Sequence, residues 1–190
     1  MKSIEKDIFD YLAGNLSPKR FEHSYNVSLF ACELAEIYGA DILSARLAGL
    51  LHDCAKFMTA KQMQVFFKNK KNMISHFKEI SGKSPELLHS FVAAEIVKTK
   101  FNIKNPDILN AVKNHTLGRK NMSLLEKILF VADAVSYDRK YKKAAAIRKL
   151  AKEDINKAFA AVLANKITYV INEGKWLCPL TIDTWNYYAS

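Results

Sequence analysis

Leu47-Ala48-Gly49-Leu50-Leu51-His52-Asp53-Cys54-Ala55-Lys56 reads as an apolar helix whose end carries an imidazole, a carboxylate and an ammonium. Neutral imidazole and carboxylate are the standard nitrogen and oxygen ligands of divalent metals. The apolar run before them argues against a solvated surface. The remaining question is whether the rest of the chain brings further ligands to this helix end.

Upstream, Asp41 is placed to cap this helix, expected over residues 42–57. Ser17-Pro18 is an earlier start signal, serine as N-cap and proline at the first helical position. That helix runs to Tyr38 and stops at Gly39; its apolar face is Val27, Phe30, Ala31, Leu34 and Ile37, with His23 one turn earlier on the same face. Ile4, Ile8 and Leu12 repeat every four residues in an opening helix that Gly14-Asn15 ends.

Downstream, Thr59 and Gln62 have capping-box spacing and start a helix towards Lys68. Residues 69–84 are polar and lysine-rich and read as a partly ordered connection. A helix over 87–100 carries His89, Ala93 and Ile96; Asn105-Pro106 opens another with Ile108, Ala111, Val112 and His115 on one face. Ser123 and Glu126 form a second capping box, before a helix with Leu125, Ile128, Leu129 and Ala132 inward and Asp133 at the stripe's edge. Helices over 144–151 and 153–172 follow, Gly174 ends the second, and the tail 176–190 reads as aromatic and irregular. No alternating strand or internal repeat is evident, so the expected class is all-α.

Composition agrees. Only 6 Gly and 4 Pro in 190 residues disfavour a fold of many tight turns. This length buries roughly 70% of the unfolded chain's surface, so no disulfide or zinc staple is needed. Three widely spaced cysteines, Cys32, Cys54 and Cys178, are an odd, reduced pattern. With no apolar segment of signal-peptide or membrane-spanning length, the expected location is cytoplasmic. A net charge of +10 points to an anionic partner, whether nucleic acid, membrane surface or phosphorylated small molecule. The basic run 139–143 reads first as solvated surface.

His23, His52, His89 and His115 each lie on or beside an apolar helical face. A single such histidine is more often a satisfied core residue than a ligand, by roughly three to one. Asp53 and Asp133 shift that balance, because a buried carboxylate requires a cation and a metal can serve several helices at once. His76, in the lysine-rich connection, reads as surface.

The pattern of His23, His52-Asp53 and Asp133 resembles the HD-domain metal-dependent phosphohydrolases. The segments Arg20-Phe21-Glu22-His23-Ser24, Ala48 to Lys56, Asn114-His115-Thr116-Leu117-Gly118-Arg119, and Ser123 to Asp133 are similar to the YqeK-type branch, the symmetrical diadenosine tetraphosphate hydrolases. The similarity spans about residues 18–155. It implies an HD-type helical bundle, one domain over 1–190 with a C-terminal helix and tail at 156–190, that cleaves diadenosine tetraphosphate into two ADP.

Carried over by resemblance, the metal ligands are His23, His52, Asp53 and Asp133. His89 and His115 face the phosphates, directly or through a second metal, with Lys56 beside them. Arg20, Thr116, Arg119 and Arg139 are the candidate substrate contacts. The resemblance implies iron, while the ligand set by itself also accepts Mn, Co, Ni or Zn. The expected partner is a dinucleoside polyphosphate or ADP-like nucleotide, with no nucleic acid and no membrane; a homodimer stays open. Two other readings remain: another HD nucleotidase or dNTP hydrolase, and a basic helical nucleic-acid-binding protein without activity.

Overall fold

The structure, a computed structural model, describes residues 2–67 and 74–189. Among the described residues there are helices and turns but no strand. In chain order the α-helices are α1 (Lys2–Asn15), α2 (Pro18–Tyr38), α3 (Ile42–Leu51), α4 (Ala60–Phe66), α5 (Phe77–Lys83), α6 (His89–Lys100), α7 (Pro106–Asn114), α8 (Leu124–Val135), α9 (Ala144–Glu153), α10 (Ile155–Asn172) and α11 (Pro179–Tyr188). A 3-10 turn over Pro85–Leu88 leads directly into α6.

The punctuation residues set most of these bounds. Gly39 ends α2 in the left-handed conformation, with φ 67°, and its amide donates to the Ala35 carbonyl. Asp41 accepts the Ser44 amide at 2.6 Å and caps α3. Both capping boxes form, Thr59 with Gln62 before α4 and Ser123 with Glu126 before α8. Ser17 stands at the N-cap of α2, but its hydroxyl makes no capping bond and instead lines a cavity.

α3 packs on α2, α7 and α8, while α8 also packs on α2, α7, α9 and α10, and α11 packs on α10. The shared core is built on Phe30, Leu34, Leu50, Leu51, Ile128, Phe130 and Phe159, all buried. Each such side chain contributes about 1.5–3 kcal/mol by leaving water. Gly49 permits the closest approach: a Cβ there would stand 2.5 Å from the Ser28 backbone, so the spine of α2 lies directly on α3.

Four expectations are corrected. α3 ends at Leu51, not near residue 57. His52 Nδ1–H donates at 2.7 Å to the Gly49 carbonyl, the acceptor that one more helical turn would use. The chain then runs in tight turns closed by Cys54 on Leu51 and Lys56 on Asp53. Ile37, expected on the inner face of α2, is 46% exposed, because the inward position of that last turn is taken by Tyr38, which packs on the core and donates its hydroxyl to the Ala151 carbonyl. The connection read over 69–84 contains α5, and Ile74, Phe77 and Ile80 are buried at a spacing of three between polar neighbours; its residues 69–73 lie outside the described ones. The tail is not irregular: Cys178 is extended before Pro179, and α11 buries Thr181 and Thr184.

Candidate metal centre

Five helices meet where the core opens to solvent. His23 comes from α2, His52 and Asp53 from the first residues after α3, His89 from the first position of α6, His115 from the residue after α7, and Asp133 from the last turn of α8. Helix ends suit this task, because the apolar body of each helix is held in the core while its polar end projects. His23, His52, Asp53, His89 and His115 are all buried.

Every one of these imidazoles is anchored through Nδ1. His52 donates to Gly49 O at 2.7 Å, His89 to Glu86 O at 2.6 Å, and His115 to Val112 O at 2.7 Å, each to the carbonyl three residues back. His23 donates to the Asp138 carboxylate at 2.8 Å. Anchoring fixes the tautomer and leaves each Nε2 lone pair aimed inward, as ligation requires.

The Nε2 atoms gather around Asp53 and Asp133. His52 Nε2 lies 3.7 Å from Asp53 Oδ2 and 3.8 Å from Asp133 Oδ1, and His23 Nε2 lies 3.2 Å from the same Asp133 oxygen. On the other side of the carboxylate, Asp53 Oδ1 is 3.3 Å from His89 Nε2 and 3.6 Å from His115 Nε2. Asp53 therefore joins two donor groups, His23–His52–Asp53 and Asp53–His89–His115. His89 and His115 bring their Nε2 atoms within 3.2 Å of each other, with the Thr116 hydroxyl 3.2 and 3.0 Å from them. Two lone pairs so close repel unless a proton or a cation lies between them.

The electrostatics follow from this crowding. Burial pushes His52 down to about 4. Burial lowers His89 as well, with Lys56 and His115 adding to the effect. For His23 burial acts downward too, but the Asp133 carboxylate outweighs it and the group lies above its ordinary value. Burial alone would raise the two aspartates. The surrounding histidines, and for Asp133 also Lys166, reverse this and hold both carboxyls well below the usual range.

Above the cluster lies a cavity of about 480 Å³ whose rim carries Lys19, Arg20, Lys56 and Arg139. Arg20 reaches Asp53 at 3.7 Å and Arg139 reaches Asp133 at 3.2 Å. Thr116 also lines this cavity. Arg119 does not: its guanidinium grips the buried Glu126 through two bonds of 2.7 and 2.6 Å and faces a smaller pocket. His76, 38% exposed beside Glu79, is likewise away from the cluster.

Three contributors to the site were not singled out from the sequence. Asp138 orients His23 and is itself held by the Ser136 hydroxyl at 2.7 Å. Arg148 donates to the carbonyls of Val135 and Ser136 and so fixes the loop that carries Asp138 and Arg139. Lys166 sets its ammonium 3.7 Å from Asp133 and 4.0 Å above the Phe130 ring. Lys166 had a readable signal: with Phe159, Val162 and Leu163 it continues the apolar stripe of α10 at helical spacing.

A model of the HD domain matches residues 20–138, a span that opens at Arg20 and closes at Asp138. The chain belongs to the HD-domain family. Relatives of this HD domain include the symmetrical bis(5'-nucleosyl)-tetraphosphatase of Halalkalibacterium halodurans, 36% identical over 90% of each chain. The protein of that name from Bacillus subtilis is 34% identical over 92% of each chain. A crystal structure of a "predicted HD superfamily hydrolase involved in NAD metabolism" from Clostridium acetobutylicum superposes with a TM-score of 0.92 at 39% identity, covering 97% of this chain and 96% of that one.

The donors of this HD domain fit a divalent cation. His52 Nε2 is buried with no hydrogen-bond partner, and its carboxylate neighbours at 3.7 and 3.8 Å are beyond hydrogen-bond reach. A buried acceptor without a partner is costly, and a cation held among these oxygens and nitrogens removes the cost.

Proposed function

We propose that this chain is a metal-dependent phosphoanhydride hydrolase that cleaves diadenosine tetraphosphate symmetrically into two ADP. The observation that carries the reading is a two-lobed His/Asp cluster at the floor of a cation-rimmed cavity, in a chain whose relatives bear that enzyme name over nine-tenths of their length. His23, His52, Asp53 and Asp133 would hold the metal, with iron the ion the resemblance favours. When bound, such an ion supplies Lewis-acid activation of a water and of a phosphoryl oxygen.

The chain's own groups do the rest. Arg139, Arg20 and Lys56 neutralise the polyphosphate, the arginines through planar paired donors and the lysine as a point charge. They also orient the chain of phosphates over the floor of the cavity. His89 is neutral at pH 7 because burial holds it below its ordinary value. With Nδ1–H fixed on Glu86, its Nε2 carries the lone pair that would take the proton of the attacking water. Thr116 supplies a hydroxyl within hydrogen-bond reach of the Nε2 atoms of both His89 and His115. The charge of +10 then serves a polyanionic small molecule rather than nucleic acid. Unpaired Cys32, Cys54 and Cys178 suit a reducing compartment, the cytoplasm.

Product analysis tests the reading. ADP is expected as the sole nucleotide product, and Asp53→Ala is expected to abolish both bound metal and turnover while the helical circular dichroism stays. Release of nucleoside, monophosphate or tripolyphosphate would instead indicate another HD phosphohydrolase. Wild-type turnover by Asp53→Ala would remove the metal centre from the reaction.

A further inference from the structure

The cavity over the His/Asp cluster is lined by charged and hydroxyl side chains and imidazoles, with no aliphatic residue, phenylalanine, tyrosine or tryptophan. It suits a chain of phosphates and, imidazoles apart, offers a purine no aromatic ring to lie against. A second cavity of about 660 Å³ adjoins it, and Asp133 and Arg139 line both. The second cavity has the opposite character. Ala134, Tyr141, Val162, Asn165 and Tyr169 contribute to its walls, and its volume falls in the range of small-molecule sites.

Its two walls come from different parts of the fold. Tyr141 belongs to the segment between α8 and α9, inside the basic run 139–143. Val162, Asn165 and Tyr169 recur at helical spacing along one face of α10. Tyr141 is 44% exposed and Tyr169 56% exposed, large aromatic surfaces that burial in the core does not use. Lys175 Nζ donates to the Tyr169 hydroxyl at 3.2 Å and stands over one face of that ring, 5.0 Å from its centroid. Asn165 presents a side-chain amide, the group that matches the donor and acceptor on the outer edge of adenine.

We infer that this second cavity receives one nucleoside of the dinucleoside polyphosphate, with its base against Tyr141 and Tyr169 and its phosphates leading past Arg139 onto the cluster. The inference rests on the proposed activity and adds to it the place where one base is recognised. The junction supports it, since Arg139 stands where a nucleoside in one cavity passes into a polyphosphate in the other. The basic run 139–143 thereby acquires a role that solvation alone does not give it.

The test compares a ligand that carries nucleosides with one that carries none. In metal-loaded protein, Tyr169→Ala and Tyr141→Ala are each expected to raise KM for diadenosine tetraphosphate about tenfold with kcat little changed, as loss of a base-stacking ring does. Tyr169→Phe keeps the ring and should retain wild-type KM. Inorganic tetraphosphate, as a competitive inhibitor, probes the first cavity alone, and its inhibition constant should stay within about twofold in all three variants. Unchanged KM in both alanine variants, with wild-type protein active, overturns the inference and leaves the proposed activity standing. Equal weakening of substrate and inorganic tetraphosphate also overturns it, because the damage then lies in the phosphate cavity. A wild-type protein that is loaded with metal and inert towards the dinucleotide overturns both.

Discussion

His23 is the one imidazole of the cluster whose anchor is a side chain rather than a carbonyl, and that makes Asp138 a residue to test. A carboxylate behind a ligating histidine fixes its tautomer and raises its basicity, and loss of such a partner typically weakens metal binding by ~10–100-fold. Asp138→Asn keeps the shape and removes the charge. Metal affinity measured by competition with a chelator is expected to fall at least about tenfold, while the melting temperature of the metal-free protein changes little. The reverse pattern, lower melting with unchanged affinity, would make Asp138 only a structural bond. The same contrast explains what was legible in the sequence. His52 and Asp53 stand at the end of an apolar run, and Asp133 sits on a periodic stripe, so all three could be read. Asp138 and Arg148 act through loop geometry that no periodicity records, and Arg119, inside a recognisable motif, was drawn away by the buried charge of Glu126.

At the scale of elements, the contact of α2 with α3 sets the distance between His23 and His52, whose ring centroids lie 5.4 Å apart. Gly49 is what makes that contact close. Gly49→Ala would drive a methyl into the Ser28 backbone, which cannot move aside as a flexible side chain would. The expected result is a loss of ~1–3 kcal/mol in denaturant unfolding, together with a drop in metal affinity because His23 and His52 are pushed apart. Loss of stability with unchanged affinity would show that the two helices adjust without disturbing the ligands. Helix starts were readable because caps and prolines are local chemistry. The stop of α3 was not, since it depends on where His52 turns its ring. α5 stayed hidden because Ile74, Phe77 and Ile80 are spread among polar residues, so their burial depends on the three-dimensional neighbours rather than on a strong stripe.

For the whole molecule, the cluster ties stability to pH in a way that chelated, metal-free protein should reveal. His52 has a folded value of about 4 against an ordinary one near 6.5, so above pH 6.5 it is neutral in both states and contributes no slope. Between pH 6.5 and 4 the unfolded chain takes up a proton that the folded one refuses, and stability falls by an amount on the order of 3 kcal/mol. His89, also lowered, acts in the same direction. His23 is raised, so its stabilisation is complete below pH 6.5 and is lost as pH climbs through its folded value. Asp53 and Asp133, held low, keep their contribution above the ordinary aspartate range and lose it only in stronger acid. The acid limb between pH 6.5 and 4 therefore belongs to the buried histidines. Urea midpoints measured across that interval should fall steadily in wild-type protein and much less in His52→Gln, whose amide takes up no proton. Equal slopes in the two proteins would mean that burial does not keep His52 neutral. Its Nε2 would then carry a proton of its own, with no lone pair to offer a cation.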